Sequence, residues 1–271
     1  QGVAVTVFER KEQLGGVVRN VIPEFRITAD SIDKDVELCK AYGAEFKLGA
    51  EVTSVKVLKA EGYTDVIHVP INRSGSSTYN NAVMAQGMLR EERPEHHLNI
   101  HLLDPHTYSM VFGWYLCEMA RKLQNGAELR HVISEFETQM NKMEVILGPY
   151  SLKQMKKSGR ISAAAAVMGE LMGIRPIITL IDGKTRVESK VRGDDKVIPA
   201  MIDLCKKRTE GVEDFDYMIG HTSIPQAAEL EKACRKAFGK APLTTFNLGG
   251  VVSANTGPDT LALVYVGKPR D

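Results

Sequence analysis

The sequence contains no Cys-x-x-Cys pair. Its four cysteines, Cys39, Cys117, Cys205 and Cys234, lie far apart in helix-like stretches. That spacing excludes a structural zinc site and does not resemble a secreted disulfide scaffold. They are expected to be small buried hydrophobes in a reducing cytoplasm. No apolar run approaches the roughly 20 residues that span a bilayer, so membrane insertion is not expected. Neither sign of charge is in excess: the net charge is +1 over 271 residues, which leaves no electrostatic footprint for nucleic acid. The opening QGVAVTVFERKEQ lacks a basic stretch followed by an apolar one, so no signal peptide is read there. It also lacks an initiator Met, and the start is expected to be internal to a longer frame. No P-loop, Gly-x-Ser-x-Gly elbow or HExxH occurs. No nucleophile–base pair stands out, and no catalytic residue is assigned. His96, His97, His101 and His106 cluster around Asp104, but no pair sits at i, i+4 in an expected helix and His101 falls in an expected strand, so no metal is expected.

What remains is an ordinary globular composition, 43% hydrophobic and 25% charged, long enough for two modest domains. Strand and helix patterns alternate, which points to an α/β layer. Val3–Glu9 reads as a short buried strand, followed by a Gly15-Gly16 turn and a helix from Ser31 to Tyr42. Asp65–Ile71 is a second buried-strand candidate, and a helix follows from about Thr78. Phe112, Leu116, Met119 and Leu123 recur at helical spacing, and Leu129, Val132, Ile133, Phe136, Met140 and Met143 repeat the pattern. A domain boundary is read near Met143–Pro149. Beyond it, Ser151 and Ser162 are placed to cap two helices that Gly159 and Gly173 end. Asp182-Gly183, between two strand-like runs, is the strongest hairpin signal in the chain.

Three loops are candidates for chemistry. Asn72-Arg73-Ser74-Gly75-Ser76-Ser77-Thr78 joins a strand to a helix. A helix start offers free backbone N–H groups and a positive dipole end, and Ser76, Ser77 and Thr78 add hydroxyl donors, a set suited to a carboxylate or phosphate. Capping of the helix alone accounts equally well for these residues. Arg160 and Arg192 lie at turn edges, where arginines engage phosphate or acidic partners or simply face solvent. Ser253–Pro258 reads as a loop in which Asn255 and Thr256 are placed to hydrogen-bond a head group, or as a plain turn before the last strand.

Taken in order, SGSSTYNNA, KKSGRIS, DGKTRVESKVRG and ANTGPDTLA, from about Gly62 to Lys268, resemble the DegV family of fatty-acid-binding proteins. The resemblance implies two α/β domains with a long-chain fatty acid between them, its carboxylate held by Ser and Thr hydroxyls. It further implies a carrier rather than an enzyme, with presentation of the fatty acid to a separate fatty acid kinase in some members. By this resemblance Ser76 and Thr78 match the head-group loop, and Arg160 and Arg192 match arginines tied to kinase docking or phosphate handling. Asn255 stands where many relatives have His, whereas Thr256 and Gly257 match. Met168, Leu171, Met172 and Ile174 are placed to line an acyl tunnel or to form plain core.

The first residues differ. VTVFERKEQLGGVVRNVIPEFRI resembles FAD- and NAD(P)-linked oxidoreductases related to the glutamate synthase small subunit, in which the acid matching Glu9 binds a ribose and Gly15-Gly16 matches a Gly-Gly turn. The GxGxxG loop that cradles a pyrophosphate is absent, so no cofactor is expected. The expected architecture is an α/β, two-domain DegV-like fold. Its parallel-sheet first domain is truncated and completed by a foreign N-terminal segment, and an α/β second domain follows. The segments are 1–64, 65–145 and 146–271, joined near Gly62–Val66. The competing readings are an oxidoreductase fragment and a chimera without function.

Overall fold

A computed structural model describes residues 5–20, 24, 28–50, 63–92, 94–95, 98–157 and 173–269. The chain divides into two compact units, Gln1–Val69 with Asn81–Leu103, and Pro70–Asn80 with Asp104–Asp271. These units differ from the three-segment division read from the sequence, because residues 104–145 group with the larger one.

In the smaller unit, β1 (Thr6–Phe8) pairs in parallel with β2 (Glu45–Lys47), and β3 (Asp65–His68) pairs in parallel with β4 (Asn99–Leu102). The helices here are α1 (Gly16–Asn20), α2 (Ala29–Ala41) and α3 (Thr78–Glu92), the last beginning in the larger unit. The Thr28 side chain caps α2 by accepting from the Ser31 N–H. The buried strand expected at Val3–Glu9 is an exposed one: Val5 is 45% exposed and Phe8 37%. Among the described residues its sheet has two strands, and a two-stranded ribbon covers little apolar surface.

The larger unit is built on one six-stranded sheet. Two helices come first, α4 (Met110–Gln124) and α5 (Leu129–Met140), packed on each other. Then follow β5 (Met143–Pro149), α6 (Lys153–Lys157), β6 (Ile174–Ile181), β7 (Lys184–Arg192) and α7 (Val197–Arg208). The chain closes with β8 (Tyr217–His221), α8 (Gln226–Phe238), β9 (Thr245–Asn247), α9 (Gly250–Thr256) and β10 (Thr260–Val266). The strand order is β7-β6-β5-β10-β8-β9, and every pair is antiparallel except β8–β9.

Central strands need residues that bury on both faces. MEVILGP of β5 is buried throughout, and TLALVYV of β10 is buried up to its last residue. Met143–Pro149 is therefore a central strand and not a boundary between domains. Pro176 is tolerated inside β6 because the pairing with β7 shifts at Ile177/Ile178, a bulge where a missing N–H costs little. Helix α7 packs on β5, β6 and β10, and α8 on β8. Met201, Cys205, Leu230, Cys234, Ile219 and Tyr265 meet in the core between them. Of the four cysteines only Cys205 and Cys234 are buried; Cys39 is exposed and Cys117 half-buried, a correction to the expectation of four core thiols. Burial pushes the Cys234 thiol up to about 12, so it stays protonated and inert. Among the described residues, no helix is long and apolar enough to cross a membrane.

Candidate functional site

The loop from Asn72 to Thr78 lies wholly in the larger unit. The hairpin turn Asp182-Gly183 holds its base. Both turn residues have positive φ, 50° and 69°, as a two-residue hairpin connection requires. Their carbonyls thereby become acceptors for the loop. Ser74 Oγ donates to the Asp182 carbonyl at 2.5 Å, and Asn72 Nδ2 lies 3.4 Å from the same oxygen. Tyr108 donates its hydroxyl to the Gly183 carbonyl at 3.0 Å, and His106 Nδ1 stands 3.0 Å from Asp182 Oδ1.

The segment 104–109 forms the other wall. Asp104 Oδ1 accepts from the His106 N–H at 3.0 Å, and its other oxygen is 3.3 Å from Arg73 Nε. His106 and Ser109 have positive φ, 56° and 63°, a conformation that costs a non-glycine residue about 1 kcal/mol or more and persists where surrounding contacts enforce it.

At the tip of the loop Ser76 Oγ and Thr78 Oγ1 are 2.8 Å apart, and the Thr78 N–H donates to Ser76 Oγ at 3.2 Å. Ser76 is half-buried and Thr78 exposed. Ser76 precedes and Thr78 begins a fifteen-residue helix, so the two hydroxyls, one donating to the other, lie at its positive end, chemistry that suits an anionic oxygen.

The other residues chosen from sequence are placed differently. Asn255 and Thr256 lie inside α9, where a loop was expected. Asn255 Nδ2 donates to the Val251 carbonyl at 2.9 Å and Thr256 Oγ1 to the Val252 carbonyl at 3.2 Å. Gly249 is the N-cap of this helix. Arg192 is the exposed last residue of β7. Arg160, the Ser162 helix and the methionines at 168 and 172 lie outside the described residues, as do His96 and His97. His101 Nε2 is 2.9 Å from Asp65 Oδ1 in the smaller unit. Among the described residues, no group of three or more His, Cys, Asp or Glu side chains could hold a metal ion.

A second polar cluster, missed from sequence, lies at the carboxyl ends of β8 and β9. The Ser223 N–H donates to His221 Nδ1 at 2.9 Å, and Ser223 Oγ is 3.0 Å from Asn247 Oδ1. A backbone amide can only donate, so Nδ1 is unprotonated and the ring is neutral with its proton on Nε2. Burial holds the His221 pKa below its ordinary value of 6.5. The folded state thus binds fewer protons, and the stability it contributes above pH 6.5 is lost as pH falls through the lowered value. His221→Asn keeps an acceptor for Ser223 and removes the titration. The urea midpoint of the wild type should fall more steeply below pH 6.5 than that of the variant; parallel pH profiles would contradict the assignment.

A groove of about 330 Å³ between α4 and α5, lined by Tyr115, Met119, Lys122, His131, Glu135 and Phe136 among others, contains none of the ligand- or partner-binding candidates picked from sequence. Its base is the packing surface of the two helices, and its rim is closed by the Lys122–Glu135 pair at 2.6 Å.

A unit with a six-stranded, mostly antiparallel sheet and a hydroxyl-lined loop, and a second unit with short parallel strand pairs, define a two-unit α/β class. Within it the chain belongs to the DegV family: the model of the family described as "Uncharacterised protein, DegV family" matches residues 50–268. A DegV domain-containing protein of Staphylococcus aureus (strain COL) is 27% identical over 226 residues, covering 82% of this chain and 75% of its own length. The crystal structure of a fatty acid binding DegV family protein from Streptococcus agalactiae matches with a TM-score of 0.69 at 21% identity, covering 98% of this chain and 99% of that one. That of a stearic acid-binding protein from Eubacterium ventriosum matches with a TM-score of 0.66 at 21% identity, over 78% of this chain and 73% of its own.

Proposed function

We propose that the protein binds a long-chain fatty acid and acts as a carrier rather than an enzyme. The Ser76 and Thr78 hydroxyls hold the carboxylate. The observation that carries this reading is the 2.8 Å approach of those two hydroxyls where the loop enters α3. Two similar solved structures, described as a stearic acid-binding protein and a fatty acid binding DegV family protein, support it. Asn255 and Thr256 have a secondary part, because each must release a bond within its own helix to serve a head group. Presentation to a fatty acid kinase, with Arg160 and Arg192 meeting the partner, completes the proposal. The exposure of Arg192 is compatible with it.

The test is lipid content. Protein purified from bacteria should release a fatty acid on denaturation, detected by mass spectrometry. A hydrogen bond to a charged group contributes about 1.5–3 kcal/mol, so Ser76→Ala and Thr78→Val should each weaken binding roughly tenfold or more. Folded protein free of lipid, with no affinity for added fatty acid, would refute the carrier reading.

Residues 1–64 are proposed to carry oxidoreductase-like sequence in front of the DegV chain. The family model begins only at residue 50, whereas the fold match to the Streptococcus agalactiae protein spans nearly the whole chain. Bound flavin, seen as yellow colour, would favour an oxidoreductase fragment. Colourless protein would dispose of it.

A further inference from the structure

Two consecutive loop residues, Arg73 and Ser74, are each held by a route that leads back to His106. On the ring side, His106 Nδ1 lies 3.0 Å from Asp182 Oδ1, and the Asp182 carbonyl accepts from Ser74 Oγ at 2.5 Å. On the backbone side, the His106 N–H donates to Asp104 Oδ1 at 3.0 Å, and Asp104 Oδ2 stands 3.3 Å from Arg73 Nε. The two routes close into a ring, because Arg73 and Ser74 are neighbours in the chain, and all of it lies in the larger unit. Ser76 follows two residues after Ser74. His106 and Asp182 have positive φ, 56° and 50°, a conformation that persists only while contacts enforce it. Asp182 carries two of those contacts at once: its carboxylate meets His106 and its carbonyl meets Ser74. Release at the carboxylate frees the residue to relax and takes the acceptor of Ser74 with it. The Tyr108 hydroxyl still holds the Gly183 carbonyl, so the loop is loosened and not let go.

The clasp responds to protons. A carboxylate only accepts, so His106 Nδ1 carries a proton where it meets Asp182. In a neutral imidazole that proton can sit on Nε2 instead, which would turn the Nδ1 lone pair toward Asp182. A second proton removes this alternative and makes the bond charge-assisted. Histidine is the side chain whose charge changes between about pH 5 and 8. The charged groups facing the ring are Asp182 on the turn, Asp104 on its own segment and, beyond Asp104, Arg73 on the loop. The His106 and Asp182 side chains are 35% and 49% exposed, so solvent protons reach the pair and water screens it.

We infer that His106 is a positioning residue for the head-group loop, clasping the Asp182 turn more firmly when its ring is protonated, so that acid slows release of the bound carboxylate. This rests on the head-group role given to Ser76 and Thr78.

Fatty acid dissociation is measured for wild type, His106→Asn, His106→Ala and Asp182→Asn at about pH 5.5 and pH 8. Asparagine puts an N–H donor near the place of Nδ1, accepts positive φ and does not titrate. Relative to His106→Asn, the wild-type rate should fall about two- to fivefold between the higher and the lower pH. Asp182→Asn should lose the same response, and His106→Ala should release fatty acid faster than wild type at the lower pH. Titration of His221 and of the fatty acid is common to all four proteins and cancels in the ratio. A ratio of wild type to His106→Asn that does not change with pH overturns the inference, as does an unchanged rate in His106→Ala. Should His106→Ala fail to fold, the two asparagine variants, which suit the backbone, carry the test. Hydrogen exchange of the 72–78 amides in lipid-free protein reads the clasp without ligand. At the lower pH it should be faster in both asparagine variants than in wild type, and equal protection overturns the clasp. The two readings therefore separate: folded wild type that binds no fatty acid sinks the carrier while exchange still decides the clasp, and fatty acid bound with a constant ratio sinks the clasp alone.

Discussion

Arg208→Met is expected to destabilise the larger unit by about 3 kcal/mol, the usual cost of stripping a buried carboxylate of its partner. Glu144, on central strand β5, has a side chain only 9% exposed. Its Oε1 accepts from Arg208 Nη2 at 2.9 Å, and its Oε2 accepts from Arg208 Nε and from the Tyr265 hydroxyl at 2.5 Å. The carboxylate raises the Arg208 pKa further, and burial, then Glu144, raises that of the Tyr265 phenol. Both partners therefore hold their protons at any ordinary pH. The Arg208 side chain is 29% exposed, so part of its charge is already solvated and the pair itself contributes little net stability. The loss comes from Glu144 left without its counter-charge, with the Tyr265 hydroxyl as its remaining donor. In a Glu144→Gln background the same arginine change should cost much less, because a neutral amide needs no counter-charge. Urea denaturation of the four proteins measures this, and equal losses in both backgrounds would show that the charge is irrelevant.

Gly183→Ala is expected to be as costly, and to weaken fatty acid retention as well. At φ +69° an alanine strains the backbone by about 1–2 kcal/mol. Its Cβ would also lie 1.7 Å from Asn72 Nδ2, a separation that no rotamer change of the backbone-anchored turn relieves. Asn72 must move, and the loop bearing Ser76 moves with it. Gly211→Ala separates the two effects: at φ +77° it has the same strain, and no atom lies within 4 Å of the added carbon. The difference between the two variants in unfolding free energy reports the clash, and only Gly183→Ala should lose bound lipid. Identical behaviour of the two would mean that the turn does not support the loop.

Local chemistry made some elements legible. Asp182-Gly183 announces its hairpin because the turn demands positive φ at both residues. Short apolar runs near Tyr217–His221 and Leu261–Val266 read as strands for lack of any polar face, and both lie in strands of the sheet. The failures have physical causes too. Met143 extends the helical spacing of Val132, Phe136 and Met140, so the switch of period at Asn141-Lys142 was invisible and β5 looked like a boundary. Asn255 and Thr256, turn formers by preference, are drawn into a helix whose other side packs on α6. At the site, Ser76 and Thr78 were legible because their interaction spans two residues. The latch beneath them was not: the bonds from Ser74 and Asn72 to Asp182 cross 108 and 110 residues, and no spacing rule encodes a contact of that range.

The two margins of the six-stranded sheet bear on how copies of this chain can associate. One outer strand, β7, reads KTRVESKVR and turns lysine and arginine outward along its length. The other, β9, is three residues long. A charged rim and a stub are poor templates for a visiting strand. Lateral growth of the sheet into a continuous ribbon, the commonest route from an open sheet to aggregation, is closed at both ends.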